Sequence, residues 1–458
     1  MTRPTLFLLH ALGLSARSWD GVVAALGDAF KVVALDLPGY GANAASPAVT
    51  LDETAEWVAV QVREREPDVW LIAGHSMGGK VAALVTSWAE AGEHGLIAPA
   101  ALALVSASTP GPEPMAEDRR AAMAAWWAGG RISADDAAGY VDANLVSPDV
   151  PAAVRQRAID DVRASSRTAW LEWLGRGSLE DRSAEIGVLR TPAVVVVGAE
   201  DPDLGPANQQ RLTLPHVPSA PIHEIDGAGH DVLLEQPAEV ARRLVDLWSA
   251  VRERPRLPSA FARLIASDRV AARTRRVMLA RLDEPAEDAP RALSPAQRAL
   301  LTALLERVVP QRGVRIDLAG RIDARLATGA GDGWRFAELP ADAEAWRRGL
   351  DTVAAMEPGF AALAAEAQDA AIDRFAGGEA GSDDDALLTG PRMALWFTDV
   401  QAEAVRTWLA HPAAQAWLRY DGFADGGDGP RKQGFVTTHA GEWEAWQRDW
   451  RTGEELQA

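Results

Sequence analysis

The chain has 458 residues, more than one hydrophobic core usually serves, so two or three domains are expected. Hydrophobic residues make up 48% and charged residues 24%, a globular balance that excludes disorder as the default state. With 46 Lys and Arg against 65 Asp and Glu the formal charge is -19, which repels phosphate backbones and anionic lipids, and the absence of cysteine excludes disulfides, thiolate metal sites and iron-sulfur clusters.

The first apolar run, TLFLL, leads straight into a loop rather than into the core of a signal peptide. No apolar stretch approaches the length of a membrane span, so a soluble, cytoplasmic protein with no membrane or nucleic-acid partner is expected. Further along, KVVAL, VWLIA, ALALV, AVVVV and APIHEI repeat the strand signal, each separated from the next by longer amphipathic segments. This rhythm predicts an α/β domain over residues 1–252, with a mostly parallel sheet wrapped by helices.

Between ALALV and AVVVV, residues 109–191 carry no strand signal and hold Trp126, Trp127, Trp170 and Trp173 in helical surroundings. A helical cap inserted into the sheet domain is expected there. Its tryptophans read either as packed core or as the lining of an apolar pocket, with core as the default. The segment EQPAEVARRLVDLWSAV closes the domain as an amphipathic helix, and an Arg-rich, Pro-punctuated linker is expected over 253–292.

An all-helical domain is expected over 293–458. It opens at SPAQRALLTALLERVVP, where Ser294 caps, Pro295 suits the first helical position, Gln297 completes a capping box and Pro310 stops the helix. Two Gly-rich passages, GGEAGSDDDALLTGP and GFADGGDGP, interrupt it as long connections.

The chemistry gathers in the first half. In VWLIAGHSMGGKVAALV, Gly74, Ser76 and Gly78 form G-x-S-x-G between a strand and a helix, where a sharp turn lifts a hydroxyl into the open. A serine hydroxyl is a poor nucleophile until a base takes its proton, so a histidine oriented by a carboxylate is required. AVVVVGAEDPDLG supplies Asp201 on the loop after one strand, with Asp203 as an alternative acid, and EIDGAGHDVLLEQP supplies His230 on the loop after the next. Ser76, Asp201 and His230 are therefore the candidate catalytic residues. The amides of Met77, after the nucleophile, and Leu12, after the first strand, are the candidate oxyanion donors. A lone Ser in a Gly-rich turn, or a lone His, is usually structural, and it is their joint order that carries the reading.

Together FLLHALGLS, DLPGYG, GHSMGG, GAEDP and GAGHDVLLEQP resemble the α/β-hydrolase superfamily across residues 1–252. The resemblance implies that His10 is structural in the oxyanion loop and His75 part of the turn around the nucleophile. Ala11 departs from the glycine that many relatives carry beside the histidine.

The second half offers no compact catalytic set. His411 and His439 are isolated, and Asp383 to Asp385 read as a solvated loop. Its stretches LSPAQRALLTALLERVVP, WRRGLDTVAAM, FAALAAEAQDAAIDRF and FTDVQAEAVRTWLAHPAAQAWLRYDGF resemble the gluconate 2-dehydrogenase subunit 3 family over residues 293–440. That resemblance implies a flavin-dependent oxidoreductase partner of the glucose-methanol-choline type, with FAD held by the partner and no cofactor or metal in this chain. Relatives often begin with a twin-arginine export signal, whereas Arg275 and Arg276 are internal.

The function expected is hydrolysis of a small-molecule acyl substrate, an ester, thioester or lactone, through acyl-Ser76. The competing expectation is a non-catalytic accessory subunit that uses the hydrolase fold as a scaffold. Carbon-carbon hydrolysis, perhydrolysis and acyl transfer use similar triads and stay open.

Overall fold

The computed structural model describes residues 3–254, 256–282, 291–312, 315–329 and 335–423. The described residues fall into two compact units, one running through Arg254 with Pro258–Arg275 and Phe423 added, the other made of Arg276–Gly422 with Arg256 and Leu257.

The first unit is built on a six-stranded sheet of β1 (Thr5–Leu9), β2 (Lys31–Leu35), β3 (Trp70–His75), β4 (Ala101–Val105), β5 (Ala193–Gly198) and β6 (Ile222–Ile225), in the order β2-β1-β3-β4-β5-β6. All five pairings are parallel. Side chains alternate across a strand, so the near-continuous apolar runs supply two cores at once. Phe7, Leu9, Ile72 and Leu104 face one core. Leu6, Leu8, Leu71 and Val196 face the other, where the closing helix Pro237–Val251 contributes Val240 and Leu244. In a parallel sheet every strand delivers its chain at the same edge, and here the carboxyl ends of β1, β3, β5 and β6 lead into the loops that carry the predicted site residues.

Residues 109–191 are helical where they are regular, and no strand interrupts them. Trp170 is fully buried, donates its indole N–H to the Met123 carbonyl at 3.1 Å, and contacts Trp126 and Tyr140 edge-on or tilted. Trp127 is also buried. The default of packed core describes these residues, and Trp173, buried in the same core, also borders the pocket beside Ser76.

The stretch 253–292, expected as a linker, carries the helices Ser259–Ala266 and Ala272–Ala280. Pro258–Arg275 belongs to the first unit because the buried Arg275 guanidinium donates to the carbonyls of Gly92, Ile265, Ser267 and Val270, each at 2.8–2.9 Å. A guanidinium with five rigid donors is suited to gathering carbonyls from separate turns.

The second unit is a helical bundle with its own core, including Leu301, Ile322, Trp346, Leu350 and Trp396. Ser294 and Gln297 form the capping box at the start of the helix Pro295–Val308. Asp383, Asp384 and Asp385 are exposed. His411 caps the helix Pro412–Trp417, accepting from the Ala413 amide at 3.1 Å, and burial lowers its pKa to about 4. His439 and most of GFADGGDGP lie outside the described residues. Among the described residues, no helix is long and apolar enough to cross a membrane.

Candidate active site

The turn after β3 carries Ser76. Ser76 has φ +50° and ψ −119°, a conformation that costs a non-glycine residue on the order of 1–3 kcal/mol. Neighbouring backbone holds it there. The Ser76 amide donates to the Val105 carbonyl at 3.0 Å, and the Ser76 carbonyl accepts from the Gly79 and Ser108 amides at 2.8 and 2.9 Å. The flanking glycines are required by space: a Cβ on Gly74 would lie 2.1 Å from the Gly78 carbonyl oxygen, and one on Gly78 would lie 2.6 Å from that of Leu9.

The three residues named from sequence meet in one hydrogen-bonded chain. Ser76 Oγ lies 2.9 Å from His230 Nε2, and His230 Nδ1 lies 2.8 Å from Asp201 Oδ2. The other Asp201 oxygen accepts from the Asp203 and Leu204 amides at 3.1 and 2.9 Å, so the carboxylate is clamped by its own loop. With Asp201 on Nδ1, that nitrogen carries the proton and Nε2 is left to accept from the hydroxyl. Asp203 instead forms an ion pair with Arg119, which leaves Asp201 as the histidine's partner.

The charges follow from this arrangement. Burial opposes ionisation of Asp201, but the His230 ring and the two amides outweigh it and hold its pKa below the usual value. Burial likewise lowers the His230 pKa, yet the Asp201 carboxylate more than compensates and raises it to about 9. His75 and Asp231 go the opposite way. Burial lowers His75 to about 3, helped by the adjacent His230 ring, and burial raises Asp231 to about 7. Both shifts favour neutral forms, so their 3.9 Å approach is not a strong ion pair. His75, His230 and Asp231 are one metal-capable set among the described residues, but its ring nitrogens are engaged in part: His230 bonds Ser76 and Asp201, and His75 Nε2 bonds the His230 carbonyl.

The loop after β1 is fixed by His10. Its Nε2 accepts from the Leu37 amide at 3.0 Å, so Nδ1 carries the proton and donates to the Ala11 carbonyl at 2.8 Å. The Tyr140 hydroxyl donates to the Leu12 carbonyl at 3.1 Å. The Leu12 amide and the Met77 amide, the latter at the N-terminus of the helix Met77–Ala91, donate to no acceptor among the described residues. The first amides of a helix lack intrahelical partners and lie at its positive end, which suits them to an anion.

Ser76 and His230 open onto a pocket that is also lined by Leu12, Glu113, Arg119 and Trp173. Glu113, Arg119 and Trp173 were not among the predicted site residues. The available signal was positional: Glu113 follows the carboxyl end of β4, the edge where sites of open α/β sheets gather. Burial raises its pKa despite a hydrogen bond from the Ser108 hydroxyl. Lys80 is buried close by and donates to the Gly111 and Glu180 carbonyls at 3.1 and 2.6 Å, tying both ends of the cap segment to the helix after the nucleophile.

Residues 295–426 match the family model for gluconate 2-dehydrogenase subunit 3. Among curated proteins, the chain is similar to the pimeloyl-[acyl-carrier protein] methyl ester esterase of Proteus mirabilis, 40% identical over 80 residues, and to that of Sodalis glossinidius, 44% identical over 80 residues. Each match covers 18% of this chain and 30% of the relative, so the chain matches less than a third of the length of these relatives. Similar solved structures include a bromoperoxidase from Bacillus anthracis, with 18% identity, 54% of this chain, 92% of that one and a TM-score of 0.49. An enol-lactonase from Burkholderia xenovorans gives 19% identity, 54% and 92% coverage and a TM-score of 0.46. The alpha/beta hydrolase family model matches residues 6–243, over half of the sequence, and the chain belongs to that family.

Proposed function

We propose that the first unit is a serine hydrolase that cleaves carboxylic esters, thioesters or lactones through an acyl-Ser76 intermediate. The observation that carries this reading is the unbroken hydrogen-bonded chain from Ser76 through His230 to Asp201. In the first step Ser76 Oγ attacks the substrate carbonyl carbon while His230 Nε2 takes the hydroxyl proton. The carbonyl oxygen becomes an oxyanion, for which the Met77 and Leu12 amides are the donors. The tetrahedral adduct collapses as His230 delivers its proton to the leaving oxygen or sulfur, leaving the acyl group on Ser76. Water then attacks the acyl carbon, giving a proton to His230, which returns it to Ser76 as the acid departs. Asp201 stays ionised throughout and keeps Nδ1 protonated. The side chains in this sequence balance every proton without a cofactor.

The test is labelling by a serine-reactive fluorophosphonate, because only an activated hydroxyl reacts quickly. Rapid labelling of the wild-type chain and none of Ser76→Ala is the expected result. Equal labelling of both would leave the first unit as a scaffold.

For the second unit we infer a docking role toward a flavin-dependent oxidoreductase of the glucose-methanol-choline type, with FAD carried by that partner. The match of residues 295–426 supports this reading. Co-expression with such a flavoprotein and recovery of a stable complex tests it; separate elution of the two proteins would count against it.

A further inference from the structure

A cavity of about 220 Å³ opens in the first unit and shares no lining residue with the pocket at Ser76. It is framed by the cap helix Ala152–Ala164, the short helix Ala16–Trp19 and the start of the closing helix at Pro237. Its apolar wall comes from Leu14, Val154, Ala158, Leu233 and Leu234. The space exceeds the roughly 150 Å³ of an apolar protein cavity that accommodates benzene, so a chain of several carbons fits.

Four polar side chains also border the cavity: Arg17, Ser18, Arg157 and Asp161. Three of them are committed within the fold. One oxygen of the buried Asp161 accepts from the Ser15 hydroxyl at 2.7 Å, and the other pairs with Arg17 at 2.5 Å. Arg17 also donates to the Arg157 carbonyl at 3.0 Å, and the Ser18 hydroxyl donates to the Ser15 carbonyl at 2.8 Å. The exposed Arg157 guanidinium has neither an ion pair nor a hydrogen bond among the described residues. Asp160, its neighbour on the same helix, instead accepts from Gln156 at 3.0 Å. Arg17 and Asp161 cancel each other, so the cavity offers hydrocarbon inside and one uncompensated positive charge at its rim.

We propose that this cavity is a binding site for an aliphatic monocarboxylate, with its hydrocarbon chain against Leu14, Val154 and Leu234 and its carboxylate on Arg157. The chain gains by leaving water for the apolar wall. The carboxylate stays at the solvent edge, where the planar guanidinium fork matches its two oxygens. An alcohol of the same length gains only the first contribution, and acetate only the second. A carboxylic acid is also the class of product that the serine hydrolase reading assigns to the first unit, but the binding site stands independently of that reading.

The experiment is isothermal titration calorimetry of the full chain with sodium hexanoate, sodium acetate and 1-hexanol, with folding of each variant checked by circular dichroism. Hexanoate is expected to bind the wild type at least roughly tenfold more tightly than acetate, from the burial of its extra methylenes. Arg157→Gln is expected to weaken hexanoate by about five- to tenfold, between the effect of an exposed ion pair and that of a hydrogen bond to a charged group, and to leave hexanol unchanged. Val154→Trp fills the cavity and is expected to abolish binding of both. Ser76→Ala is expected to bind hexanoate as the wild type does. No binding of hexanoate to the wild type, or an affinity that survives both cavity variants, overturns the site, as does an affinity lost in Ser76→Ala. If Val154→Trp does not fold, Arg157→Gln decides alone. Fluorophosphonate labelling reports on Ser76 separately, so failure of the cavity leaves the hydrolase reading standing.

Discussion

The Nε2 of His75 lies 2.9 Å from the carbonyl oxygen of His230, across 155 residues of sequence. The imidazole beside the nucleophile is held neutral by burial, and its N–H grips the loop that carries the base. Removing it leaves a buried carbonyl without its donor, at a cost of about 1–3 kcal/mol. His75→Ala is therefore expected to lower the urea midpoint and to reduce kcat more than it raises KM, because the base is displaced while the rest of the pocket lining remains.

The pH profile follows from His230. Acylation needs the neutral imidazole, and the Asp201 carboxylate raises its pKa to about 9 against the opposing effect of burial. The kcat/KM for a neutral ester is expected to climb with pH from neutrality toward 9. The same coupling stabilises the fold below the ordinary histidine value of 6.5 and loses that contribution as pH rises through about 9. In Asp201→Asn, denaturant titrations should show the stability deficit at pH 6 shrinking by pH 10.

Asp201 and Asp203 are separable by the same substitution at each. Asp201→Asn favours the wrong tautomer of His230, and kcat is expected to fall by about 10,000-fold. Asp203→Asn breaks the ion pair with Arg119 but leaves the histidine's partner in place, so a loss of under roughly tenfold is expected, which is the size of a weak ion pair's effect. Comparable losses in single-turnover rates would contradict the assignment.

Gly78→Ala places a methyl group 2.6 Å from the Leu9 carbonyl oxygen and 2.7 Å from that of His10. Backbone of a buried strand has no room to withdraw, so a destabilisation of about 3 kcal/mol is expected together with loss of fluorophosphonate labelling. Urea unfolding monitored by tryptophan fluorescence measures the first.

In the helical unit, a Cβ on Gly349 would lie 2.2 Å from Cε2 of Trp396, at the centre of that unit's core. Gly349→Ala is expected to destabilise this unit by about 1–3 kcal/mol while kcat/KM for p-nitrophenyl acetate is unchanged. Differential scanning calorimetry alongside the ester assay separates the two effects, and a parallel loss of hydrolysis would mean that the first unit depends on the second.

The sequence alone carried the parallel sheet, because apolar runs such as TLFLL and AVVVV, buried on both faces, leave a local and repetitive trace. Ser76, Asp201 and His230 could be named in advance for a related reason: each sits on a loop at the end of a strand, beside turn residues that signal the loop, and their order along the chain matches the order of the loops. Tertiary structure alone decided the rest. That Trp170 is pinned to the Met123 carbonyl while Trp173 borders the pocket beside Ser76 depends on where each indole lies across the fold. Arg275 reads as part of a linker until its guanidinium reaches Gly92, 183 residues away. Asp203, two residues from Asp201 and chemically its equal, is removed from the histidine by Arg119, which the chain delivers from the cap. Periodicity and turn chemistry are written within a few residues and can be read there, whereas the partner of a buried polar group is chosen by chain that returns from far away.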